Sequence, residues 1–95
     1  MSGYVIIELT IFDEEEIKKY KELAPATIKD FEGEIIVRGG EKIILEGNWN
    51  PQRLVILKFP SVKKAKAWWN SELYKEVSFF RTRAARTNMI ILEGK

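Results

Sequence analysis

The sequence predicts an α+β fold in which one four-stranded antiparallel sheet carries two helices on one face. Four segments rich in β-branched residues alternate with two amphipathic segments. Their order along the chain is strand, helix, strand, strand, helix, strand. This is the split βαβ, or ferredoxin-like, βαββαβ pattern. Right-handed crossovers then place the strands in the order four, one, three, two.

The first strand and helix follow from local patterns. Tyr4–Ile11 alternates as a strand does, and Asp13 is a helix N-cap with Glu16 at capping-box spacing. Pro25 interrupts the apolar stripe of the helix, so we expect a kink or a break there. Gly33 ends the helix. The two faces of the strand hold, respectively, Val5, Ile7, Leu9 and Ile11, and Tyr4, Ile6, Glu8 and Thr10.

The middle of the chain, Glu34–Pro60, reads as two or three strands in succession. Ile35–Val37, Ile43–Leu45 and Leu54–Phe59 are apolar runs. Gly39-Gly40 between the first two is typical of a bulge or tight turn within one bent strand. Polar residues, Gly and Pro precede the third run and indicate a chain reversal.

The second helix and the last strand complete the pattern. Ser61 is a good N-cap, and Ser71 after Asn70 can cap a new helical segment. Val62, Ala65 and Trp69 form the predicted inner stripe of this helix, yet Trp68 and Trp69 cannot both face one core at consecutive helix positions. We expect one to be buried and the other to form a contact. The last strand is predicted over Asn88–Glu93.

Length and composition narrow the class of protein. Ninety-five residues make a single domain, 1–95, and 16 basic against 14 acidic residues leave a net charge of +2. With no Cys and no His, we expect no disulfide, metal or cofactor, and no His- or Cys-dependent catalysis. No apolar run reaches membrane-span length, so a cytoplasmic location is the default. Frequent Ile, Lys and Glu hint at a thermophilic source.

Both faces of the predicted sheet are apolar, although two helices can cover only one. Ile6 opposes Val5 and Ile7 in the first strand, and Leu54 and Ile56 oppose their neighbours in the third. An exposed face of this kind exceeds what soluble monomers usually present. We therefore expect a homodimer in which the two sheets pack face to face as a dimeric α+β barrel. Long loops that cover the face are the alternative.

A series of short motifs runs through nearly the whole chain: Gly3-Tyr4, Asp13, Tyr20, Phe31-x-Gly33, Val37–Gly40, Leu45–Gly47, Arg53, Phe59–Ser61, Ala65, Trp68, Ser71-x-x-Tyr74, Arg81 and Leu92–Gly94. With these motifs the sequence resembles a small bacterial and archaeal domain family of unknown function within the dimeric α/β barrel superfamily. The resemblance implies a ferredoxin-like subunit and a homodimer, and it brings no established activity. Wider relatives include cofactor-independent monooxygenases, lactone isomerases, haem-degrading enzymes and haem peroxidases.

A pocket for an anionic or aromatic small molecule is predicted around two arginines. Arg38 precedes two glycines that permit close approach, and Arg81 shares a helix stripe with Tyr74. Tyr20 is assigned to the same pocket. Guanidinium groups near phenols suit a carboxylate, enolate or phenolate. The alternative is that each Arg forms a structural ion pair.

Glu8 and Trp49 are assigned to this pocket as two further candidates. Glu8 is predicted to pair diagonally with Lys58 or, if desolvated, to act as a general base. Trp49 lies in a polar loop and is expected to mark a contact or to close the end of the barrel.

Nucleic-acid and membrane partners are not expected. The segment Arg53–Phe59 lacks the aromatic motif of RNA-recognition sheets. Three readings of function remain: a metal-free enzyme on a small metabolite, a ligand-binding or regulatory module, and a structural dimer.

Overall fold

The computed structural model describes residues 1–95 and contains four strands and three helices. The strands are β1 (Gly3–Ile11), β2 (Glu34–Arg38), β3 (Arg53–Phe59) and β4 (Ala85–Glu93). The helices are α1 (Glu14–Asp30), α2 (Val62–Asn70) and α3 (Glu72–Thr82). The second predicted helix is therefore divided at Asn70-Ser71, as its capping pattern indicates. None of the helices is both long and apolar enough to cross a membrane.

The sheet has the predicted topology. Its order is β2-β3-β1-β4, and every neighbouring pair is antiparallel. This is the ferredoxin-like arrangement, with β2 and β4 at the edges. Val5 and Ile7 face the helices together with their cross-strand partners Leu57 and Val55. The alternation read from β1 is confirmed, because Val5, Ile7 and Leu9 are buried while Tyr4, Ile6 and Glu8 are only half-buried.

The core lies between the sheet and the helices and is built around Trp68. Its ring packs 4.1 Å from the Tyr74 ring and 5.5 Å from the Phe59 ring, centroid to centroid. Its indole Nε1 donates to the Thr27 hydroxyl at 3.0 Å, so the buried N–H is satisfied. Trp69, which the sequence places on the inner stripe of α2, is instead substantially exposed.

Helix capping follows the sequence closely. Asp13, Ser61 and Ser71 accept hydrogen bonds from backbone N–H groups three residues ahead and so cap α1, α2 and α3. At the end of α1, the Gly33 N–H donates to the Ile28 carbonyl, which closes a Schellman motif. The left-handed residue of that motif is Glu32, at φ 63°, rather than a glycine.

Two local expectations are wrong, namely a break of the helix at Pro25 and a strand at Ile43–Leu45. α1 does not break at Pro25 but runs through it to Asp30, because buried side chains on both sides of the proline hold it against the sheet and α3. Ile43–Leu45 forms no strand, and residues 41–50 are exposed throughout. β3 uses its free edge to pair with Glu34–Arg38, so no neighbouring strand remains for the second apolar run.

The predicted bulge exists, but it lies earlier than Gly39-Gly40. Pairing between β2 and β3 shifts register between Ile35 and Val37. Ile35 lies opposite Leu57 and Arg38 opposite Val55, so both residues lie on the helix face. In a regular strand, residues three apart point to opposite faces. The bulge therefore turns Arg38 towards the helices.

The other sheet face carries no helix. Its apolar members remain partly or largely exposed, and Ile90 and Leu92 on β4 are about half exposed. The face also contains Tyr4, Ile6, Glu8, Leu54, Ile56, Lys58, Val37 and Asn88. We call these residues the outer sheet face.

Candidate functional site

An open cavity lies between α1 and the helix face of β1, β2 and β3. Its volume is about 150 Å³. Most of its lining is aliphatic, because inward residues of three strands meet the buried stripe of α1 there. The apolar wall consists of Ile7, Leu9, Ile17, Ala24, Pro25, Ile28, Ile35, Val55 and Leu57, to which Tyr20 adds a phenol ring.

Three cationic side chains, Lys21, Arg38 and Arg53, complete the lining of this cavity. No Asp or Glu belongs to the lining, and none of the three cations forms an ion pair within the chain. Their charges are therefore free to meet an anion, and guanidinium groups match a carboxylate in geometry. Such a ligand would keep its charge at the cations and bury its apolar part in the cavity.

The local backbone explains how the two arginines reach the cavity. The β2 bulge turns Arg38 to the helix face, where it lies opposite Val55. Arg53 begins β3, and its guanidinium lies against Gly39, which has φ 64°. A Cβ at residue 39 would come within 2.5 Å of Arg53 Nη1. Gly39 thus supplies both the left-handed turn after β2 and the space for Arg53.

Tyr20 connects the cavity to a buried polar chain. Its hydroxyl lies 2.8 Å from the Tyr74 hydroxyl, and Arg81 Nε donates to the Tyr74 oxygen at 3.3 Å. Burial raises the pKa of the Tyr20 phenol well above its usual range, and Tyr74 adds to the rise, whereas Arg81 opposes it. Tyr20 is therefore a neutral phenol at physiological pH.

Arg81 lies behind this wall rather than in the cavity lining. It is buried, with its guanidinium carbon 6.0 Å from the Tyr20 ring centroid. No carboxylate pairs with it or with Arg38, so the structural ion-pair reading is wrong for both residues. The structure places Arg38 and Tyr20 in the cavity lining, and Tyr74 and Arg81 in the chain behind Tyr20.

Glu8 and Trp49 lie elsewhere, on the outer sheet face. The Glu8 carboxylate accepts one hydrogen bond from Trp49 Nε1 and one from Asn88 Nδ2, each at 3.0 Å. The predicted diagonal pair with Lys58 is wrong, because the register sets Glu8 opposite Leu54 and Lys58 opposite Tyr4. Glu8 and Trp49 therefore belong to a different surface from the cavity.

Next to the mouth of the cavity lies a second, polar hollow. It shares Lys21 and Arg53 with the cavity and adds Glu14 and Glu41. These carboxylates lie outside the apolar cavity, so they border the cationic mouth without lining it. Across the molecule, no group of three or more Asp or Glu is arranged to hold a metal ion.

Sequence reasoning missed Arg53 and Lys21 as lining residues. The sequence did contain a signal for Arg53 as a neighbour of Arg38. Arg53 lies just before the apolar run of β3, and Arg38 lies just after the apolar run of β2. Antiparallel pairing of the two strands brings those ends together. Lys21 had no signal beyond its place one residue after Tyr20 on α1.

The comparisons with known proteins place the chain in a family. The sequence profile of a family described as Domain of unknown function (DUF1330) matches residues 2–95. The chain belongs to the DUF1330 family. The resemblance to a domain family of unknown function is thus confirmed. No curated protein matches this DUF1330 chain.

Solved structures similar to this DUF1330 protein share its fold at low sequence identity. A Rhodopseudomonas palustris protein of unknown function has a TM-score of 0.77 at 15% identity, over 99% of this chain and 82% of that one. A dimeric ferredoxin-like protein of unknown function from Jannaschia has a TM-score of 0.70 at 12% identity, over 99% and 100%. A provisionally described antibiotic biosynthesis monooxygenase from Nitrosomonas europaea has a TM-score of 0.55 at 18% identity, over 97% and 89%.

Proposed function

We propose that this DUF1330 protein is a homodimer whose subunits each bind a small amphipathic anion in the cavity between α1 and the sheet. One observation supports the class of ligand: the lining of an aliphatic cavity contains Lys21, Arg38 and Arg53 but no Asp or Glu. An aromatic or short aliphatic carboxylate combines the two required parts. A volume of about 150 Å³ suits a single ring, since an apolar cavity of about that size can hold benzene.

The side chains of the cavity favour binding over catalysis. A general base near neutral pH is usually an imidazole or a carboxylate, and neither belongs to the lining. Tyr20 holds its proton, because burial raises its pKa, so its phenol does not act as a base. We therefore propose a ligand-binding or regulatory module rather than an enzyme.

The homodimer is supported by the outer sheet face and by relatives described as dimeric. The structures from Jannaschia and from Bacteroides fragilis are both described as dimeric proteins with a ferredoxin-like fold. On this chain, Ile6, Leu54 and Ile56 lie on a face with no helix over it. Pairing two such faces removes the apolar surface of both copies from water at once.

Benzoate and its uncharged analogue benzyl alcohol test the binding site. Isothermal titration calorimetry should show benzoate binding, with benzyl alcohol at least tenfold weaker. The charged hydrogen bonds of an Arg are worth about 1.5–3 kcal/mol. Arg38→Gln and Arg53→Gln should therefore each weaken benzoate binding by roughly 10- to 150-fold.

Arg83→Gln is the matched control, because Arg83 is a surface arginine that pairs with Glu16 and does not line the cavity. It should leave the benzoate affinity unchanged. Equal affinities for benzoate and benzyl alcohol would exclude the anion site. The same conclusion would follow if Arg38→Gln and Arg53→Gln left the benzoate affinity unchanged.

A further inference from the structure

The loop between β2 and β3, residues 39–52, is hydrogen-bonded to the rest of the chain, yet its apolar side chains stay exposed. We call it the arm. Leu45 is 93% exposed and Ile43 is 73% exposed. Gly47, at φ 83°, lets the backbone turn just after them. Neighbouring apolar side chains that their own chain leaves largely exposed indicate a partner surface.

The arm is fixed to the body of the chain at three points. The Gly39 N–H donates to the Leu54 carbonyl at 2.8 Å, and the Ile11 N–H donates to the Gln52 side-chain oxygen at 2.7 Å. Trp49 donates to Glu8 on the outer sheet face. The last of these bonds brings Trp49 onto the outer sheet face, whereas Glu41 and Lys42 at the start of the arm line the polar hollow beside α1.

We infer that the arm packs on a second copy of this chain, with Ile43 and Leu45 as its contact residues. This inference rests on the proposed homodimer and specifies a part of its interface. The Trp49–Glu8 bond makes the arm continuous with the outer sheet face. Ile43 and Leu45 add two exposed apolar side chains to those of the outer sheet face, and a stable interface needs an extended surface of roughly 800 Å² per partner.

The carboxylates next to the apolar residues of the arm argue against a membrane as the surface that the arm contacts. Glu41 and Glu46 lie on either side of the apolar residues Ile43–Leu45 in the sequence. Lys42 is the only basic residue between these two carboxylates. Carboxylates next to these apolar residues would be repelled by an anionic lipid surface. A second copy presents no such uniform charge, since the chain carries a net charge of only +2.

The double variant Ile43→Ser/Leu45→Ser tests the inference by sedimentation equilibrium. A two-fold dimer contains each contact twice, so we expect its dissociation constant to rise at least a hundredfold. Leu73→Ser is the matched control, since Leu73 is an exposed leucine on α3. It should leave the dissociation constant unchanged. Circular dichroism should show the native fold in both variants, because the altered residues are exposed.

The outcomes separate the arm from the proposed dimer. If the double variant dimerises as tightly as wild type while Ile56→Lys is monomeric, the arm contact is refuted and the sheet-face dimer stands. A monomeric wild type would overturn both. If the double variant loses only binding to phosphatidylglycerol vesicles and keeps its dimer, the arm is a membrane contact and the inference is overturned.

Discussion

Replacing Arg81 with methionine should change stability very little, although the residue is buried. Its guanidinium makes one hydrogen bond, to the Tyr74 oxygen at 3.3 Å, and lies 6.0 Å from the Tyr20 ring centroid. It has no carboxylate partner. Methionine occupies much of the same space and removes the charge.

The magnitudes involved nearly cancel. A hydrogen bond from a charged donor contributes about 1.5–3 kcal/mol, and a desolvated cation–π contact contributes about 2 kcal/mol at most. Taking one ion out of water costs several kcal/mol, and no opposite charge offsets it here. We therefore expect Arg81→Met to change the free energy of unfolding by less than about 1.5 kcal/mol in either direction.

Urea unfolding followed by tryptophan fluorescence at one fixed protein concentration measures this change. Arg81→Ala is the informative companion, because it removes the same charge but leaves a cavity. Arg81→Ala should lower the free energy of unfolding by about 2–3 kcal/mol more than Arg81→Met does. A loss above about 3 kcal/mol for Arg81→Met would show that the guanidinium has an anionic partner, and the reasoning from an unpaired cation would then be wrong.

Two further predictions concern pH and backbone strain. Burial raises the pKa of Tyr20 in the folded chain, so the unfolded chain loses this proton first as the pH rises above about 10. The contribution of Tyr20 to stability is complete below that pH, and above it the free energy of unfolding should fall by up to about 1.4 kcal/mol per pH unit. This fall should be shallower in Tyr20→Phe. Equal slopes in wild type and Tyr20→Phe would contradict a raised pKa for Tyr20. Glu32→Gly should raise the free energy of unfolding by about 0.5–1 kcal/mol, because Gly adopts the left-handed conformation without strain. Its control is Glu32→Ala, which loses the same surface ion pair to Lys64 and should bring no gain.

The cavity illustrates why sequence reasoning reached only part of the site. The glycines after Arg38 mark it as a candidate in the sequence, yet its approach to the cavity depends on the bulge between Ile35 and Val37. A bulge is set by how two strands pair, and the pairing partner is remote in sequence. In the sequence, Arg53 is an ordinary polar residue at the start of a strand. Only the pairing of β3 with β2 places it beside Gly39.

Glu8 shows the same limit on the outer face. Its strand and its face were predicted from alternation, but its partners were not. Asn88 is 80 residues away and Trp49 is 41 residues away. The register of β1 and β3 sets Leu54 opposite Glu8 and leaves Lys58 further along β3, opposite Tyr4, and alternation within one strand does not reveal that register.

By itself, the sequence determined those features that depend on a few adjacent residues. Alternation in β1 assigned Val5 and Ile7 to the core, and Asp13, Ser61 and Ser71 marked the helix starts, because side-chain direction and N-cap hydrogen bonds are local. The element order then fixed the topology, since handed crossovers leave few arrangements. Tertiary structure decided whether an apolar run became a strand or an exposed arm, and which cations met at the cavity. Both depend on which segment occupies a neighbouring strand position, and backbone hydrogen bonds between remote residues settle that.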